Sequence, residues 1–241
     1  MTGGKRGQPA HVALAQQLGT RIVTGGSEPG TTLPGEIELA EHFAVSRSVI
    51  REALRMLSAK GLIESRPKAG TKVRERHHWN LLDPELLGWM FEGAPPMAFV
   101  RSLFELRMIV EPAAAELAAT KRSARQLARM GHALEEMAAH GLSSEAGRTA
   151  DQVFHTVILE ATGNELLVSL SASIAAAVRW TTYFKYRENK QPRDPMPQHQ
   201  VLFEAIAASD PDAAREATIT LVAQAQRDTE AAVENQAAAS A

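Results

Sequence analysis

Over the first 75 residues the apolar positions change their period. "HVALAQQLGTRIVTGG" spaces its apolar residues as one face of a helix and ends in a glycine pair that stops it. "SEPGTTLPGE" is rich in Pro and Gly and predicts a loop. "GEIELAEHFAVSRSVIREALRMLSAKGLIES" resumes the helical period. It predicts two short helices joined by a tight turn at Ala44 and Val45, with Ser46 the N-cap of the second helix and Gly61 the residue that ends it. "LIES" and "TKVRE", separated by "RPKAG", predict the strands of a hairpin.

From Asp83 onward the chain is alanine-rich, poor in strand formers and helical throughout. The pattern predicts helices near 84–92, 97–120, 123–140, 146–162, 165–187, 197–208 and 211–236, with "ENKQPRDPMPQ" as the one substantial loop. So many helices with short connections suit an antiparallel bundle. The expected fold is mainly α: a winged helix-turn-helix over residues 1–76, a linker over 77–83, and an all-α bundle of six to seven helices over 84–236.

Composition narrows the function. The 241 residues are 44% hydrophobic and 22% charged, an ordinary globular balance. Cysteine is absent, which excludes disulfides, thiolate metal sites and cysteine nucleophiles. No stretch approaches an uninterrupted membrane span, and no apolar region follows "MTGGKRGQPA", so a cytoplasmic protein is expected. The net charge of −2 hides an asymmetry: residues 1–76 carry 12 Lys and Arg against 7 Asp and Glu, and the rest carry 14 against 21. A basic head on an acidic body suggests that one end meets a polyanion.

The head has the means to do so. In "VSRSVIREALRML" a buried stripe of Val49, Ile50, Ala53, Leu54 and Leu57 leaves Ser46, Arg47, Ser48 and Arg51 on the exposed first turn. That turn is where a recognition helix enters the major groove; Arg can grip guanine bidentately, and Ser hydroxyls suit phosphates. The hairpin tip adds Arg66 and Lys68, and Gly70 permits close backbone approach. A helix bearing three arginines is by itself only a solvated face. Its coincidence with the capped turn, the basic hairpin and the charge asymmetry points to DNA.

Within the body, "DQVFHTVI" sets Asp151 and His155 one helical turn apart on an apolar face, and His199 shares a face with Leu202, Phe203 and Ile206. A carboxylate and two neutral imidazoles are what a divalent metal takes, but they also make a hydrogen-bonded polar core. Both readings stand on pattern alone. Arg107 lies one turn before Glu111, a spacing that is usually a surface ion pair.

"LPGEIELAEHFAVSRSVIREALRMLSAKGLIESRPKAGTKV" resembles the winged helix-turn-helix of the GntR family of bacterial transcription regulators. "FELRMIVEPAAAELAA", "DQVFH" and "QHQVLFEAIAASDPDAA" resemble the effector domain of its FadR branch, the FCD domain, and "WNLLDPELLGWM" resembles repressors of sugar-acid operons, those for galactonate above all. The resemblance implies that Arg47 and Arg51 read bases or backbone with Ser46 and Ser48 beside them, and that Lys68 and Gly70 approach the minor groove. Ile37 stands where many relatives carry an arginine, so helix 36–43 is expected to support rather than read. Such effector domains often bind a metal through an Asp, a His one turn on and two further His. Asp151, His155 and His199 match three of these positions, and Leu221 occupies the fourth, which leaves a place for water or effector on a divalent ion, zinc or a close substitute.

A ligand-responsive repressor is therefore expected, a homodimer on a palindromic operator, released by a small anionic effector. Arg107 is the expected carboxylate partner, with Arg227 and Trp180 as further candidates. Thr181 and Thr182 suit the hydroxyls of an aldonate such as galactonate; another organic acid or an acyl-CoA is the alternative. A metal-dependent hydrolase is the competing class, and the sequence offers no base or nucleophile beyond the ligands themselves.

Overall fold

A computed structural model of the chain describes residues 8–66, 70–188 and 192–239. They divide into two compact units, Met1–Gly93 and Ala94–Ala241. The N-terminal unit holds α1 (Ala10–Val23), α2 (Glu36–His42), α3 (Arg47–Ala59), β1 (Ile63–Arg66), β2 (Gly70–Val73) and α4 (Pro84–Glu92). α1 packs on α3, and Leu14, Ala15, Leu18 and Ile22 of the one and Ile50, Ala53, Leu54 and Leu57 of the other are all buried. Between α2 and α3 the chain turns through Ala44 at φ 52°, and Ser46 Oγ then accepts from Val49 N at 3.4 Å. Gly61 ends α3 at φ 74°, where an added Cβ would lie 2.2 Å from the His78 carbonyl oxygen. Only glycine fits there.

β1 and β2 pair antiparallel, Ile63 opposite Val73 and Ser65 opposite Thr71. The loop after α1 adds a short third edge, in which Thr32 bridges Lys72, Leu33 N donates to Thr71 O at 2.8 Å and Val73 N donates to Thr31 O at 2.9 Å. Lys68, at the hairpin tip, lies outside the described residues. The expected linker is ordered: residues 76–78 form a 3-10 turn, and the buried Trp79 donates its indole N–H to Arg74 O at 2.8 Å.

Helix 84–92, which the sequence pattern gives to the body, belongs to the N-terminal unit. Its partner is α1. Trp89 lies so close to Gly19 that a Cβ there would stand 2.3 Å from the ring, and Thr20 Oγ1 donates to Glu92 at 2.9 Å. Asp83 caps α4 by accepting from Glu85 N and Leu86 N, both at 3.0 Å, and also receives the buried Lys60 Nζ at 2.7 Å.

The second unit holds α5 (Met97–Lys121), α6 (Ala124–His140), α7 (Glu145–Ala161), α8 (Glu165–Ser169), α9 (Ser171–Glu188), α10 (Met196–Ala207) and α11 (Pro211–Ala239). The helix expected over 165–187 breaks at Leu170. α8 is a short piece capped by Asn164, and Ser169 Oγ turns back to Leu166 O at 2.7 Å, competing with the backbone ladder. A capping box of Ser123 and Gln126 starts α6, and Ser144 starts α7. Ala114, Ala115, Ala118 and Ala119 form a ridge of small buried side chains on α5, which packs along α11 in the most extensive helix pairing of the unit. Phe154, Val157, Ile158, Met130, Met137, Leu202 and Ile206 fill the rest of that core.

Candidate metal centre

α7 presents Asp151 and His155 from adjacent turns, and the first turn of α10 presents His199; the three are 2%, 5% and 2% exposed. Asp151 Oδ1 lies 3.5 Å from His155 Nε2 and 3.2 Å from His199 Nε2. Donor atoms of all three fall within 4.8 Å of one another. A tetrahedral zinc with ligands at about 2.0–2.1 Å has edges of roughly 3.4 Å, which both distances approach.

The far nitrogens fix the tautomers. His199 Nδ1 sits 3.0 Å from the Pro195 carbonyl, which can only accept, so this nitrogen carries the hydrogen. His155 Nδ1 lies 2.8 Å from Glu111 Oε2, a carboxylate oxygen that can only accept, so this nitrogen too carries the hydrogen. With both Nδ1 atoms protonated, two Nε2 lone pairs face a carboxylate oxygen. Three electron-pair donors converging in a buried space repel one another unless a cation, a metal ion or added protons, sits between them. The donor set therefore fits a divalent ion.

Glu111, on α5, orients His155 and is held in turn by Arg107, whose Nε donates to Oε1 at 2.5 Å. The expected surface pair is a buried one. Burial alone would raise the Glu111 carboxyl, but the Arg107 and His155 charges outweigh it and hold its pKa at about 2. Burial likewise works to raise Asp151; when added protons rather than a metal fill the space, the hydrogen bond and charge of the protonated His199, then the charges of His155 and Arg107, lower it on balance. Thr181 Oγ1 accepts from Arg107 at 3.4 Å, and Thr182 Oγ1 donates to Asp151 Oδ2 at 3.4 Å.

A cavity of about 30 Å³ opens beside the cluster, room for one ion or water-sized group. Its wall includes Arg107, Thr182 and, at the expected fourth ligand position, Leu221. Two cations that sequence reasoning missed also line it, Lys185 and Arg193. A signal for Lys185 was present: it stands seven residues after the buried Val178 and four after Thr181, on the inward face of α9. Arg193 follows a proline in a loop without period, and nothing in the sequence marks it. Trp180 and Arg227 do not line the cavity; Trp180 stacks edge-on with Tyr183, and Arg227 is exposed and donates to Gln224.

In the other unit, Ser46, Arg47, Ser48 and Arg51 share the exposed N-terminal turn of α3, and Arg66 and Gly70 are exposed at the hairpin. Glu36, at the start of α2, holds Arg51 Nε at 2.8 Å and lies 3.8 Å from Arg47. α2 thus braces the arginines. Ile37 beside it is exposed.

Residues 11–73 match the family described as bacterial regulatory proteins, gntR family, and residues 102–224 match the FCD domain. The galactonate operon transcriptional repressor of Escherichia coli K12 is 38% identical over 212 residues, covering 87% of this chain and 92% of that protein. The chain belongs to the GntR family. As such it is a transcriptional regulator with an FCD domain, and not an enzyme. GntR regulators bind operator DNA, FCD domains bind small-molecule effectors, and some FCD domains hold a metal. The HTH-type regulator LutR of Bacillus subtilis 168 is 31% identical, covering 78% of this chain and 87% of its own. The solved structure of Lar, which controls expression of the Listeria monocytogenes agr system, shares the fold at 19% identity, with a TM-score of 0.66 over 93% of this chain and 98% of that one. Among the described residues no helix is long and apolar enough to cross a membrane.

Proposed function

We propose that this GntR regulator is a repressor that acts in the cytoplasm as a homodimer on a palindromic operator, and that a small carboxylate bound in the FCD domain releases it. In this reading residues 1–76 form the DNA-binding head and the helical body senses the effector. Ser46, Arg47, Ser48 and Arg51 enter the major groove, and the wing, with Arg66, Lys68 and Gly70, approaches the minor groove. The exposed, capped turn of α3 supports this assignment.

Asp151, His155 and His199 hold one divalent ion, zinc or a close substitute. Bound there, the ion supplies positive charge and an open coordination position beside Leu221, for a carboxylate or hydroxyl of the effector. Arg107 supplies an opposing charge, and Thr182 a hydroxyl. Galactonate is the favoured effector, on the likeness to the galactonate operon repressor and on those hydroxyl neighbours. The observation that carries the reading is the convergence of three lone-pair atoms beside three cationic side chains.

Protein purified without an affinity tag is tested for metal content and then by thermal shift against sugar acids, hydroxy acids and acyl-CoAs. The expected result is near-stoichiometric metal that His155→Ala abolishes, stabilisation by galactonate, and galactonate-dependent release of promoter DNA in a gel shift. Stabilisation by acyl-CoA alone, or galactonate response intact in a metal-free His155→Ala protein, overturns the proposal. On the DNA side, Arg47→Ala and Arg51→Ala each cost about 1–3 kcal/mol of operator affinity and relax sequence preference. Wild-type binding by both variants overturns the recognition-helix assignment.

A further inference from the structure

Three cations face the cavity wall, Arg107, Lys185 and Arg193, and each has a carboxylate counterpart nearby. Arg107 is committed to Glu111. Lys185 and Arg193 share Asp228 of α11, and share it poorly. Asp228 Oδ2 lies 3.3 Å from Arg193 Nε and 4.0 Å from Lys185 Nζ, while Oδ1 accepts from Gln224 Nε2 at 3.0 Å.

Both cations keep unused capacity. Lys185 is 5% exposed, and its ammonium is under-paired for such burial; desolvation lowers its pKa, with Asp228 and Asp151 only partly offsetting. Arg193 donates to Asp194 O at 3.3 Å and Gln198 Oε1 at 2.8 Å, but its buried Nη2 finds no partner among the described residues. A half-used pair of cations at the rim of a cavity is a receptor for one more anion. The charges agree: three cations against Glu111, Asp151 and Asp228 balance, and a divalent ion adds two positive charges.

We propose that Asp228 is an internal stand-in for the effector carboxylate, which takes its place on Lys185 and Arg193. This rests on the metal-and-carboxylate reading above. The cavity holds one water-sized group, so a carboxylate with its carbon chain must make room. Of the three side chains of this triad the Lys185 stem is sealed at 6% exposure, while Asp228 at 16% and Arg193 at 30% both reach solvent. Asp228, one turn of α11 beyond the cavity-lining Ala225, is the one whose departure frees both cations. Rotating Asp228 toward solvent frees both donors and removes the negative charge that would repel the ligand. In the ligand-free protein its carboxylate keeps the two cations from being stranded, which explains why an acidic residue sits at an anion site. The site is thus selective for ligands that bring a carboxylate to replace the one they expel.

Calorimetric titration of galactonate into the zinc-loaded full chain tests this. Asp228→Asn keeps the shape and removes the competing charge, so galactonate affinity should rise about threefold to tenfold, and half-release of operator DNA should occur at correspondingly lower galactonate. Asp228→Ala should move in the same direction, which covers a folding defect in either variant. Lys185→Gln should weaken binding about tenfold or more. Unchanged or weaker binding by both Asp228 variants, with wild type binding normally, overturns this inference and leaves the effector reading intact. Wild-type protein that binds no carboxylate overturns both.

Discussion

Placing a histidine at the fourth coordination position, by Leu221→His, is the sharpest test of the site's geometry. Leu221 is buried, lines the cavity with Asp151, His155 and His199, and projects from α11. In metal-free protein the change replaces a packed isobutyl group, worth about 1.5–3 kcal/mol in burial, with an imidazole lacking an assured partner. The metal-free form should therefore lose about 2–4 kcal/mol. Structural zinc sites with four protein ligands bind with about 10–16 kcal/mol, or roughly 3 kcal/mol per ligand, so zinc affinity should rise about a hundredfold. The gap in stability between zinc-loaded and metal-stripped protein should widen by about 3 kcal/mol. For a domain this size that is roughly 6–12 °C in melting temperature. Scanning calorimetry with zinc and with a chelator, beside competition against a chromophoric chelator, reads both quantities. The open position would be closed, so galactonate affinity should fall as zinc affinity rises. An unchanged gap together with unchanged zinc affinity would show that the α11 side chain does not face the ion.

Other predictions probe the supporting structure. Glu111→Gln removes the carboxylate behind His155 and leaves Arg107 buried without its counter-charge. Zinc affinity should drop about 10–100-fold and urea stability by about 3 kcal/mol; a change in neither would make the Arg107–Glu111 pair incidental. Burial of Lys60 works to lower its pKa, but Asp83 and Glu85, at 2.7 and 2.6 Å, raise it above 10.5 on balance. Its contribution to stability is then fully present below pH 10.5 and lost as pH climbs through the higher folded value. Lys60→Met should flatten that alkaline loss in melts taken on both sides of pH 10.5. Gly61→Ala meets both a positive φ and the His78 carbonyl, and should cost about 2 kcal/mol or more, against about 1 kcal/mol for Gly25→Ala, where the φ is positive but nothing lies within 4 Å. Equal melting shifts for the two would refute the clash.

The buried cluster of Asp151, His155 and His199 was legible because a helix face is a local property. The four-residue step from Asp151 to His155 lies inside an apolar stripe, and His199 shares one with Leu202 and Ile206. Glu111 was misjudged for the same reason in reverse. α5 is small and apolar on most sides, so its spacing could not show which face is sealed. Trp180 lost its place to Lys185 because a helical wheel gives candidates for an inward face, and only packing selects among them. The winged head was readable down to the Ser46 cap and Gly61, since caps and turns are written in single residues. What escaped there depended on partners far along the chain: the Thr32 edge strand is too short to alternate, and α4 shows its helix but not the Gly19 surface that receives Trp89.

The alanine ridge of α5 has a mechanical consequence. Alanine loses no side-chain freedom on burial and permits close approach, so α5 and α11 form a stiff pair. One of them carries Arg107 and Glu111, the other Leu221 and Ala225. Two walls of the cavity are thereby welded to each other. Backbone movement that enlarges the cavity then falls to α7, α9 and α10, which bring Asp151, Thr182, Lys185 and His199, while the Asp228 side chain turns without moving α11 itself. The body then behaves as a vice with a fixed jaw and a moving one, and a single Ala118→Leu wedge in the fixed jaw should loosen ligand grip from a distance without touching any residue of the site.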